Sequence, residues 1–163
     1  MSQMVCSEYE NKSLHDAVRG GDLEAVARIL EAGTSIDEQN GMSETAMYVA
    51  AESGRLEMVQ YLVQLGADKD KATSDGYTPL HAAACNEHLE MVQYLVQQGA
   101  DKDKATNNGY TALYTAVKNG RLKMAQYLVQ QGVDKDKTTN NGYTALYIAA
   151  RPQWKDYEDG SHK

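Results

Sequence analysis

Apolar and polar positions along this chain fall into a rhythm that returns every 33 residues. Within one period, Leu89, Val92, Leu95 and Val96 lie at i, i+3, i+6 and i+7. That spacing places them on one face of a helix and predicts a helix from about Leu89 to Gln98. A shorter helix is expected upstream, from about Pro79 to Asn86, where Ala83 and Ala84 let neighbouring helices approach closely. Thr45, Thr78, Thr111 and Thr144 each stand just before an apolar-periodic segment, where a hydroxyl can accept from an otherwise unpaired helix N–H. Pro79 follows at the first helical position, which needs no N–H. Gly66, Gly99 and Gly132 suit the left-handed position that closes a helix. Asp75-Gly76, Asn108-Gly109 and Asn141-Gly142 are tight-turn dipeptides of the hairpin kind.

The repetition is visible residue by residue. Tyr77-Thr78-Pro79-Leu80-His81-Ala82-Ala83 returns as Tyr110-Thr111-Ala112-Leu113-Tyr114-Thr115-Ala116, and again as Tyr143-Thr144-Ala145-Leu146-Tyr147-Ile148-Ala149. Glu44-Thr45-Ala46-Met47-Tyr48-Val49-Ala50 keeps the same frame, and Asn11-Lys12-Ser13-Leu14-His15-Asp16-Ala17 keeps it faintly. A fixed period of this length implies stacked supersecondary units, each unable to bury its apolar face alone.

The pattern resembles the ankyrin repeat. Gly76 to Ala84 matches that family's opening G-x-T-P-L-H-x-A-A, His88 to Val96 its second helix, and Gly99-Ala100-Asp101 its closing turn. The resemblance covers roughly residues 9–151. It implies an all-α solenoid of helix–turn–helix–β-hairpin units, with about four repeats and a C-terminal half repeat. It also implies a role in binding other proteins. The expected division is a leader at 1–8, repeats at 9–41, 42–74, 75–107 and 108–140, a partial repeat at 141–151, and a tail at 152–163. Arg19, Asp22, Glu24, Arg28 and Glu31 offer polar cover at the N-terminal end. Trp154 and Tyr157 in the tail fold back over the last repeat, form a linear motif or oligomer contact, or remain disordered.

Composition narrows the function. The 163 residues contain 42% apolar residues and no Phe, thin for a globular core but adequate for stacked helices. The net charge of −7 argues against nucleic acid and anionic membrane as partners. No apolar run approaches the ~20 residues of a membrane span. Met1 to Glu10 lacks the features of a secretory signal, and Cys6 and Cys85 make no disulfide framework. A cytoplasmic location is expected.

No catalytic, cofactor or metal site is expected. Asp-Lys-Asp-Lys recurs at 68–71, 101–104 and 134–137 but lacks the later ligands and the Gly of a calcium loop. Its expected place is a solvated hairpin segment, with Lys69, Lys102 and Lys135 forming a column. His15 and His81 hold the family's T-P-L-H position, which the resemblance makes structural; Tyr48, Tyr114 and Tyr147 replace it elsewhere. His88 is preceded by Glu87 where the family favours Gly, so strain in that turn is expected.

Candidate binding residues come from family positions. The hairpin column holds Glu44, Tyr77, Tyr110 and Tyr143, flanked by Asp75, Asn108 and Asn141. The helix column holds Glu52, Cys85 and Lys118, followed by Asn86 and Asn119. Tyrosine gives large contact area at low entropy cost. However, residues 94–113 and 127–146 agree at 18 of 20 positions, so the tyrosines are equally open to being packed or merely duplicated. The leading reading is a non-enzymatic adaptor or stoichiometric inhibitor, monomeric rather than oligomeric. The alternatives are a host-directed effector, or a structural protein self-associating through its incomplete C-terminal repeat.

Overall fold

Hydroxyl and carboxylate caps start many of the helices. Ser13, Thr45, Thr111 and Thr144 each accept from the backbone N–H three residues on. Asp22 does the same for Ala25. In the computed structural model, which describes residues 12–151, these caps begin α1 (Leu14–Gly20), α2 (Leu23–Glu31), α3 (Ala46–Glu52), α7 (Ala112–Lys118) and α9 (Ala145–Ala149). The remaining helices are α4 (Leu56–Gln64), α5 (Pro79–Cys85), α6 (Leu89–Gln97) and α8 (Leu122–Gln130). The leader, Asn11 and the tail with Trp154 and Tyr157 lie outside the described residues.

The described residues are all-helical, with no strand among them. Short and long helices alternate. The short inner helices α1, α3, α5, α7 and α9 lie side by side, and each of the first four packs on the longer outer helix that follows it. Alanines make the inner layer tight: Ala46, Ala50, Ala83, Ala84, Ala112 and Ala116 are all buried. The outer helices contribute the larger side chains. Met58, Val59 and Leu62 recur as Met91, Val92 and Leu95, and as Met124 and Leu128, all within one core. Tyr61, Tyr94 and Tyr127 are half-buried against it, in line with outer packing. Fully burying one such Leu is worth about 1.5–3 kcal/mol.

Each outer helix ends alike. Gly66 has φ 85°, and its N–H reaches Val63 O while that of Ala67 reaches Leu62 O. Gly99 and Gly132 repeat the arrangement. The left-handed residue turns the chain into a long polar connection.

That connection is where Asp-Lys-Asp-Lys sits, and it joins repeats. Asp37 Oδ1 accepts from Asp68 N at 2.9 Å, Asp70 Oδ1 from Asp101 N at 2.9 Å, and Asp103 Oδ1 from Asp134 N at 2.7 Å. Lys104 Nζ donates to Asp70 O at 2.7 Å, and Lys137 Nζ to Asp103 O. Lys102 reaches Gln131 O at 2.7 Å, whereas Lys135 is exposed. The solvated segment of the sequence reading is therefore a hydrogen-bonded ladder between repeats.

Near the C-terminal end of the described residues, apolar side chains are exposed. Leu80 and Leu113 are buried, but their counterpart Leu146 is 75% exposed. Leu89 is half-buried, but its counterpart Leu122 is 74% exposed. No described helix follows α9 to cover them.

Candidate functional site

The candidate face is built by the turns between repeats and the inner helices they feed. In the three later turns a threonine closes a hairpin-like loop, the place that Asn40 takes in the first. Thr73 N donates to Tyr77 O and Thr73 Oγ1 accepts from Tyr77 N; Thr106 with Tyr110 and Thr139 with Tyr143 do the same. Gly76, Gly109 and Gly142 stand just before the tyrosines with φ 84°, 80° and 78°. Successive turns touch: Asn107 N donates to Asp75 O and Asn140 N to Asn108 O, both at 3.0 Å. The first turn differs, with Ser43 at φ 60° in the glycine position.

Each turn tyrosine is set four residues before the side chain at the histidine position, so the two meet on the same side of the helix start. Tyr110 stacks on Tyr114 with centroids 4.8 Å apart and planes 10° apart. Tyr143 stacks on Tyr147 at 4.8 Å and 2°. Tyr77 meets His81 edge-on at 5.8 Å. Four residues further on, Lys118 Nζ lies 5.6 Å from the Tyr110 centroid, and Arg151 lies 5.2 Å from that of Tyr147. The rings thus pair at the starts of α5, α7 and α9.

The histidine position is structural in two repeats. His81 Nδ1 accepts from Thr78 N at 3.2 Å, which leaves Nε2 to donate to Tyr110 O at 2.8 Å. Burial pushes the His81 imidazole below its ordinary value, partly opposed by the Tyr110 carbonyl. His15 reaches Glu44 O at 2.8 Å in the same way. Tyr48 replaces histidine in the second repeat, and its phenol is pushed up to about 12, first by burial and then by Glu52 and Glu44.

The candidate residues fall into three groups. Tyr77, Tyr110 and Tyr143 are half-buried, each with part of the ring on the surface. Asp75, Asn108, Asn141, Cys85, Asn86 and Asn119 are exposed, and Glu52 and Lys118 half-exposed. Glu44 departs from the expectation of an outward contact. Its side chain is only 12% exposed, accepts from Asn40 Nδ2 at 2.8 Å and lies 4.0 Å from Arg19. The amides of Asn86 and Asn119 turn back onto Ala82 O and Thr115 O, closing their helices. Sequence reasoning missed Arg151, and it gave Tyr114 and Tyr147 only a structural role. The spacing Tyr-x3-Tyr-x3-Lys and Tyr-x3-Tyr-x3-Arg was the available signal.

Behind the face, the turns after α1, α3 and α5 are covered by the following repeat. His88 Nε2 reaches Glu52 O at 3.0 Å, and its ring would lie 2.7 Å from a Cβ added at Gly54. Arg55 similarly covers Gly21. In the third repeat Glu87 takes this position at φ 64° and draws Arg121 to its own carboxylate at 2.5 Å. Arg121 Nε is left buried without a partner.

Among the described residues no cluster of three or more His, Cys, Asp or Glu could hold a metal ion, and no helix is long and apolar enough to cross a membrane. Paired helices, repeating turns and a shared seam define a helical repeat protein. The family model described as ankyrin repeats (3 copies) matches residues 14–106 and 99–157, and the chain belongs to the ankyrin repeat family. No curated protein matches it. Ankyrin repeats are generally protein–protein interaction modules and are typically non-enzymatic.

Proposed function

We propose that this chain is a non-enzymatic module that binds a protein partner through its turns and inner-helix face, as an adaptor or stoichiometric inhibitor in the cytoplasm. The observation that carries the reading is the series of tyrosine pairs. Rings already stacked and hydrogen-bonded turns already linked pay little ordering entropy when a partner arrives. The proposed contact residues are Tyr77, Tyr110, Tyr143, Asp75, Asn108, Asn141, Glu52, Cys85 and Lys118, with Asn86 and Asn119 at the rim. The proposed repeats are 9–41, 42–74, 75–107 and 108–140, followed by the part-repeat 141–151.

The test compares two faces. A variant with Tyr77, Tyr110 and Tyr143 all replaced by Ser should lose partner capture and keep its helical content. A variant with the outer-helix residues Glu57, Glu90 and Lys123 replaced by Ser should keep capture. Equal loss in both variants contradicts the reading.

One observation favours a second reading, self-association. Leu146 and Leu122 are exposed near the C-terminal end of the described residues, and such apolar side chains can stack on another copy. Solution mass with and without residues 152–163 separates the two, and a monomer in both forms removes the second.

A further inference from the structure

The face is sorted by charge. Each recognition window runs from the turn to the end of the inner helix. In 40–53 the ionised residues are Glu44 and Glu52; in 73–86, Asp75; in 106–119, Lys118; in 139–151, Arg151. The formal charges are therefore −2, −1, +1 and +1 from the second repeat to the fifth, the first repeat carrying Lys12, Asp16 and Arg19, in a chain whose total is −7. The two ends are held differently. Glu44 is offset by Arg19 at 4.0 Å, which leaves Glu52 as the main acid at the negative end. Lys118 and Arg151 each lie against a tyrosine ring, at 5.6 Å and 5.2 Å. Between the ends lie Tyr77, His81 and exposed Cys85, a stretch without formal charge on its helix.

We propose that this face takes an extended peptide segment of divided charge, with a cationic side chain at Glu52 and anionic groups at Lys118 and Arg151. Uncharged residues of the segment lie on the rings of Tyr77 and Tyr110. Packed helices sit about 8–10 Å apart, so Glu52 in the second repeat lies roughly 20 Å from Lys118 in the fourth and roughly 30 Å from Arg151 in the fifth. An extended segment of about six residues reaches Lys118, and one of about nine reaches Arg151. A chain this acidic draws polycations without discrimination, so a preference for divided charge reports the face rather than the total. This inference rests on the protein-binding reading of the same face.

Three labelled synthetic peptides of equal length and identical uncharged interior test it, by fluorescence anisotropy against the full chain at low salt. One carries two lysines at one end and two glutamates at the other; one carries four lysines; one carries four glutamates. The divided peptide should bind at least about tenfold more tightly than either of the others. Glu52→Gln should remove most of that preference, and so should Lys118→Gln with Arg151→Gln, with circular dichroism unchanged. Equal or tighter binding of the four-lysine peptide overturns the inference, as does a preference that survives both substitutions. A dimer in sedimentation that Glu52→Gln dissociates overturns it in favour of a second copy. If no peptide binds while tyrosine-dependent protein capture persists, this inference fails and the parent reading stands. If capture ignores the tyrosines, the parent reading fails.

Discussion

Two residues store opposite kinds of tension. Glu87 sits at φ 64°, a backbone conformation that costs an L-residue about 1–2 kcal/mol. Its ion pair with Arg121 is largely exposed and recovers little. Glu87→Gly should therefore raise stability by about 1 kcal/mol, read as a higher denaturant midpoint, and free Arg121 to donate to a backbone carbonyl as His88 does. His81 works through protonation. Its folded value lies below 6.5, so the unfolded chain binds the proton more readily as pH falls. The stability it contributes is present above the ordinary histidine value and is lost as pH drops through and below it. The native chain should lose more melting temperature between pH 7.5 and pH 5.5 than His81→Tyr does; equal losses would contradict this. Strain at 87 was legible in the sequence because glycine is the favoured residue there. The orphaned Arg121 Nε was not, because the glutamate that diverts it lies 34 residues away.

The helices themselves were almost wholly legible. Cap, apolar spacing and closing glycine all agree in the three internal repeats, so boundaries read from Thr78 and Gly99 fall within a residue or so of α5 and α6. What lay between them was not. The Asp-Lys-Asp-Lys segments look like solvated charge because their partners belong to the neighbouring repeat, at separations of 31 and 34 residues. The turns follow the same logic. A Cβ at Gly109 would lie 2.8 Å from Thr139 Cα, whereas one at Gly120 meets nothing within 4 Å, although both residues have positive φ. Gly120→Ala should cost about 1 kcal/mol, from backbone strain alone. Gly109→Ala adds a clash between repeats and should cost at least about 2 kcal/mol. Equal midpoints in urea for the two variants would show that the turns do not touch. Leu95→Ala, which opens the seam of the outer helices, should cost about 2–5 kcal/mol.

At the scale of the whole molecule, stability is a sum over neighbours, since each unit touches only the ones beside it. The family and the shared seam could be read from periodicity. The pairing of Tyr110 with Tyr114, and the packed carboxylate of Glu44, could not, because side-chain direction is decided by local crowding that spacing does not encode. The most direct test of the neighbour-only account removes one whole period. Deleting residues 94–126 joins Gln93 to Tyr127 and rebuilds the sequence of α6 without change, because Tyr94-Leu95-Val96-Gln97 and Tyr127-Leu128-Val129-Gln130 are identical. The shortened chain should show the same helical signal per residue by circular dichroism and a single cooperative urea transition at a lower midpoint. A deletion of similar size out of register, such as 94–120, should not fold. Loss of helical signal in the in-register deletion, or equal folding of both, would contradict the account.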